Sequence, residues 1–258
     1  MFSQSEYQII NIPENSLLLS TNDSFPSNLD YFENDNYSIS YLQYPADINF
    51  LNFKYQKYSF SFLNFGLIED SIDNNVINSF NSYEYYLKYK ISKFDKYLST
   101  SIGFVYSKIE NYTSNALLIN FEKKIESNNF NLNFSLENLA IVLKPYTVRE
   151  SINPYKLQLG LNNISIKGFY FGYELVYNSF TSSPIHIVSL SKNISKFFKF
   201  RLSSSTHFKN LKLYDNFKDY LYGVSVGFTL FTNTNKRVDI GFLNLGPSGY
   251  VYGITLNL

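Results

Sequence analysis

The sequence predicts a single closed antiparallel transmembrane β-barrel of about fourteen strands, and three observations predict it. Apolar and polar residues alternate with period two along most of the chain. The stretches between alternating segments are short and long by turns. The chain closes on Gly253 to Leu258, itself an amphipathic strand with apolar residues at the third-last and last positions. Period-two alternation marks a strand whose two faces meet unlike surroundings.

Taken in order, the alternation places strands at 37–43, 48–55, 58–66, 82–92, 97–107, 115–124, 130–138, 155–163, 169–178, 186–193, 198–207, 220–231, 236–243 and 249–258. In the seventh, Phe130, Leu132, Phe134 and Leu136 alternate with Asn131, Asn133, Ser135 and Glu137. In the eighth, Leu157, Leu159 and Leu161 alternate with Lys156, Gln158, Gly160 and Asn162. Such strands are near the length of a tilted membrane-spanning strand. Their apolar residues are expected to face lipid. Lys156, Gln158, Lys199, Arg201 and Asp239 are expected to face a polar lumen, because charge on the lipid face is costly.

The connections separate a membrane barrel from a soluble sandwich. Short gaps follow even-numbered strands, as at Gln56 to Lys57, Ile164 to Gly168 and Ile194 to Phe197. Long ones follow odd-numbered strands, at Leu67 to Asn81, Leu139 to Pro154 and Phe208 to Asp219. Short periplasmic turns at one rim and longer extracellular loops at the other are the pattern of outer-membrane barrels. A sandwich has no reason to sort its loops by strand parity. The expected location is therefore a bacterial outer membrane, with its lipid bilayer as the first partner.

Residues 1–36 are expected to lie outside the wall, with the barrel over 37–258. Ile9 to Leu19, interrupted by Pro13, reads either as a lumen-plugging segment or as part of a periplasmic tail. The chain opens Met1 to Glu6 without the apolar region of a secretory signal, so an exported chain is expected to have lost one.

Composition removes several function classes. The 258 residues carry a net charge of +1, with Lys scattered, so no basic stripe for nucleic acid is expected. Without cysteine there is no thiolate chemistry and no disulfide. Aromatics make up 19% of the chain, but tryptophan is absent, which leaves tyrosine to line the lipid interfaces. His186 and His207 sit on different strands with no Asp or Glu at metal-ligand spacing, so no metal and no cofactor are expected. His207 near Ser203 to Ser205 is too isolated to suggest a hydrolase, and a non-enzymatic role is expected.

Recognition on a rigid barrel is built into its rim loops. The Leu139 to Pro154 segment carries Lys144, Pro145, Tyr146 and Arg149, a stiffening proline and an aromatic anchor between two cations. Tyr and Arg are favoured at the centres of protein interfaces. These four residues are the expected partner-binding set.

The order of residues from about 7 to 180 resembles the PorV/PorQ family, more closely its PorQ-like members. The resembling stretches are Tyr37 to Asn49, Asn64 to Gly66 before an acidic segment ending near Phe80, and Leu98 to Tyr112. Leu143 to Tyr146, leading to Leu157 to Leu161, is the last of them. The resemblance implies a FadL-related barrel of the type IX secretion system, anchoring PorZ-, PorU- or PorV-like proteins at the cell surface. The family's Asn-Pro-Ala segment near the N-terminus is not seen, and the chain is shorter than usual. The competing expectation is a FadL-like transporter or porin for small or hydrophobic molecules.

Overall fold

In a computed structural model, the chain forms fourteen antiparallel strands joined in one closed sheet. The structure describes residues 7–23, 37–72, 75–95, 98–127, 129–146, 153–207, 217–232 and 236–258. The strands are β1 (Tyr37–Gln43), β2 (Asn49–Tyr55), β3 (Tyr58–Ile72), β4 (Asn75–Asp95), β5 (Leu98–Ile109), β6 (Tyr112–Glu126) and β7 (Asn131–Lys144). They continue as β8 (Lys156–Ile166), β9 (Phe169–Asn178), β10 (Ile185–Ser195), β11 (Phe198–Ser205), β12 (Val224–Phe231), β13 (Arg237–Asn244) and β14 (Tyr250–Asn257). Each pairs with its neighbours in sequence, and β1 pairs with β14 from Ser38↔Asn257 to Gln43↔Tyr252, which leaves no free edge.

The alternation resolves into an outside and an inside. On β14, Tyr250, Tyr252, Ile254 and Leu256 point outward, while Val251, Gly253, Thr255 and Asn257 point in. Leu159 is 48% exposed and Ile254 43%, whereas Asp239 is fully buried. A soluble protein does not expose such a continuous apolar surface, and lipid is what covers it. Tyr37, Tyr55, Tyr58 and Tyr89 stand side by side on four neighbouring strands at the short-turn rim. Their rings lie 5.1 Å apart for Tyr37 and Tyr55, and 5.0 Å for Tyr58 and Tyr89. This is the tyrosine girdle that the missing tryptophan makes necessary.

One expected loop is strand over its described residues, and a second is strand in its first part. Leu67 to Ile72 belongs to β3 and Asn75 to Asn81 to β4, which pair as far as Ile72↔Asn75. Leu139 to Lys144 belongs to β7. In both places a bulge hides the strand. Between Asn64 and Leu67 the β3–β4 register shifts beside Gly66, whose φ is 74°. In β7 the phase slips at Asn138, whose φ is 60°. Before that residue the odd positions Asn131, Asn133 and Ser135 face inward; from Asn138 the even ones do, so Ile141 and Leu143 continue the lipid face. One extra residue shifts the alternation by one and makes a continuous strand look like its end. Phe217–Leu221 is a 3₁₀ turn rather than the start of β12, and 208–216 of the expected third loop lie outside the described residues.

Candidate functional site in the lumen

Residues 7–23 lie inside the barrel, and the way they bond to its wall defines the site. A 3₁₀ turn at Ile9–Asn11 and helix α1 (Ser16–Ser20) are separated by Pro13. Asn15 caps α1 by accepting the Leu18 amide at 2.9 Å. At five residues, α1 is too short to be stable alone, so the wall must hold it.

That wall is cut back to receive it. Gly227 pairs with Gly241, and Gly241 with Gly253, which sets three glycines in a row across β12, β13 and β14. A Cβ on Gly241 would stand 2.3 Å from the Ser16 carbonyl oxygen, and one on Gly227 would stand 2.2 Å from Ser20 Cβ. No side chain fits between helix and sheet at this level. Close approach brings polar partners within reach. The Ser16 amide donates to Thr255 Oγ1 at 3.0 Å, and its hydroxyl donates to the Asp239 carbonyl at 2.8 Å. The Ser20 carbonyl accepts from Ser225 Oγ at 2.9 Å and from Ser203 Oγ at 3.3 Å. Asn22 Nδ2 donates to Ser203 Oγ at 2.7 Å and to the Gly223 carbonyl at 3.0 Å.

Beneath α1 lies a buried charge network. Asp239 meets Arg201 Nη2 at 3.1 Å and Arg237 Nε at 3.0 Å. It also accepts from Asn257 Nδ2 at 2.9 Å and from the Thr229 hydroxyl. Arg201 Nε reaches Ser20 Oγ at 3.2 Å, which links this network to the inner segment. On the opposite part of the wall, Glu84 accepts the Ile9 amide at 2.6 Å and the Ser107 hydroxyl at 2.8 Å. Around Ile9, Tyr7 and Leu19 the lumen is apolar, lined by Leu42, Phe50, Leu63, Val105 and Leu118.

Two ion pairs complete the docking. Glu14 meets Lys88 Nζ at 2.6 Å, and Asp23 pairs with Lys156, which also stands 3.7 Å from Glu137. Burial pushes the Glu14 carboxyl up, but Lys88, with Lys54 and Lys156 farther off, outweighs it and holds the group below its ordinary value. For Asp23 burial wins over Lys156 and the carboxyl is raised. The two act with opposite sign on docking. Glu14 strengthens it above its ordinary pKa and loses that contribution as pH falls through the lowered value. Asp23 favours the docked state at low pH and loses that contribution as pH rises through its raised value.

The expected lumen-facing residues Lys156, Gln158, Lys199, Arg201 and Asp239 do face inward. Of the expected partner-binding residues, three are described, at the end of β7 and just beyond it. Lys144 ends β7, exposed, with Nζ donating to Thr113 Oγ1 at 2.6 Å. Pro145 is exposed beside it. Tyr146 turns back into the mouth, half-buried, with its hydroxyl on Ser107. Arg149 lies outside the described residues. His186 is on the outer surface, its Nδ1 2.7 Å from the Tyr173 hydroxyl, and His207 follows β11. Among the described residues, no group of three or more His, Asp or Glu could hold a metal ion. No helix of the described residues is long and apolar enough to cross a membrane; this barrel crosses with strands.

No family model matches the chain, and no curated protein matches it. Solved barrels do. It is similar to the KdgM porin at 14% identity and a TM-score of 0.39, over 86% of this chain and 99% of that one. It is similar to the Acinetobacter baumannii outer membrane protein Omp33 at 11% identity and a TM-score of 0.45, over 86% and 96%. With a variant of OccD1 (OprD) the identity is 12% and the TM-score 0.36, over 81% and 67%. One of these is named a porin and one an outer membrane protein, and nothing in the comparisons supports the PorV/PorQ resemblance. The chain is an outer-membrane β-barrel. The closed sheet, apolar outer face and polar lumen carry that conclusion.

Proposed function

We propose that this barrel is an outer-membrane channel or transporter for small polar solutes, held closed by residues 7–23. The observation that carries the reading is the lumen itself, which is lined by charged and polar side chains and filled by a segment that no covalent bond fixes to β12–β14. A barrel serving only as a scaffold has no need of a polar interior matched to a removable filling. Closed and open states then differ by the docking of α1 in the glycine trough. The test is single-channel recording on purified protein in planar bilayers. Wild type is expected to be nearly silent. Gly241→Ala, whose added methyl meets Ser16 and Ser20 first, is expected to open it frequently. Equal silence in both, with the barrel folded, would overturn the reading.

The attachment role is the second reading, and the exposed Lys144 and Pro145 favour it, since they stand where a surface partner could reach them. Its test is recovery of a surface-anchored protein with the barrel from solubilised outer membranes. That recovery should fail for Lys144→Glu if the role is real.

A further inference from the structure

Most bonds between the inner segment and the wall run to hydroxyls and backbone carbonyls, but among the described residues two are ion pairs. Glu14 and Asp23, on either side of α1, each place a carboxylate on a wall lysine, Lys88 of β4 and Lys156 of β8. Neither pair is sealed. The side chains of Lys88 and Glu14 are 28% and 33% exposed, and that of Asp23 is 31% exposed. Glu14, Asp23 and Lys88 are therefore within reach of solute in the lumen, while Lys156 is 13% exposed, and an incoming carboxylate replaces one that is already desolvated there. With the segment undocked, Lys156 keeps one wall carboxylate, Glu137, at 3.7 Å. Lys88 then keeps Glu122 as the wall carboxylate that acts on it.

Resting on the channel reading, we infer that Lys88 and Lys156 form an anion site of the lumen, and that Glu14 and Asp23 occupy it as built-in surrogates for a solute with two or more carboxylates. The solute competes with the segment for the same two ammonium groups, so binding and opening are one event. A polyhydroxylated neutral solute has no such purchase, and a polycation meets two like charges. Lysine suits this work because its flexible stem and compact charge can follow a carboxylate of either origin.

The test uses the full-length chain in planar bilayers with citrate as probe, and sucrose and spermidine as controls. Glu14→Gln/Asp23→Asn is expected to conduct with anion selectivity, read from the reversal potential in a salt gradient. Citrate is expected to block this current. Adding Lys88→Gln should weaken the block roughly tenfold, the size of one lost charge-assisted contact, and Lys88→Arg should restore most of it. Sucrose and spermidine should not block. A pore selective for cations, or a citrate block indifferent to Lys88→Gln, overturns the inference while Gly241→Ala conduction keeps the channel reading intact. Silence in every variant, with the heat-modifiable gel mobility of a folded barrel, overturns both.

Discussion

Asp239 shows how much of this interior depends on single side chains. It compensates two arginines and receives an asparagine and a threonine besides, all in a space that water does not reach. Removing it takes from the buried Arg201 and Arg237 the carboxylate that both meet. Asp239→Ala is expected to cost about 3–5 kcal/mol, measured by urea unfolding in detergent or lipid. Asp239→Asn, which keeps an acceptor oxygen, should cost clearly less. The network could not be read from sequence. Alternation placed Arg201 and Asp239 inside, but their pairing depends on β11, β12 and β13 being neighbours at matching height. The same is true of Glu14 and Lys88, and of Ser16 and Thr255, whose meeting no local pattern announces.

At the scale of elements, β7 gives the clearest lesson. Its first half was legible because Leu132, Phe134 and Leu136 keep strict alternation with polar partners. Its second half was not, because the bulge at Asn138 reverses the phase. The residue belongs there physically: asparagine tolerates a positive φ, its amide donates to Asn120 Oδ1 at 2.7 Å, and its side chain reaches the Ile10 carbonyl at 3.4 Å. A β-branched replacement resists that backbone. Asn138→Val should lose about 1–2 kcal/mol, while Asn138→Gly keeps the backbone and loses only the contact to Ile10. Comparison of their unfolding midpoints checks this. The boundary between strand and loop before Lys144, Pro145 and Tyr146 was placed too early for the related reason that the phase had already reversed. Lys144 is strand, and Tyr146 serves the mouth.

Across the whole molecule, the single distinction between a lipid face and a lumen face organises everything else, and it was legible from the start. Leu159 lies between Phe134 and Leu175 on neighbouring strands, in the apolar surface. Leu159→Arg is expected to destabilise the barrel by about 2–4 kcal/mol, read from folding into bilayers of defined thickness. The same substitution made at an inward position such as Asn133 should cost far less if the lumen admits water.

The seating of α1 has a last consequence, for the order of assembly. The trough belongs to β12, β13 and β14, while α1 precedes all fourteen strands in the chain and is made before them. The helix therefore has no berth until the C-terminal strands have arrived. Once seated, it lies against the inner side of the junction where β14 meets β1, with Leu19 beside Leu42 and Gly253. A segment made before the strands thus acts as a late clasp, drawn tight from within across the one seam where the ring began as two ends.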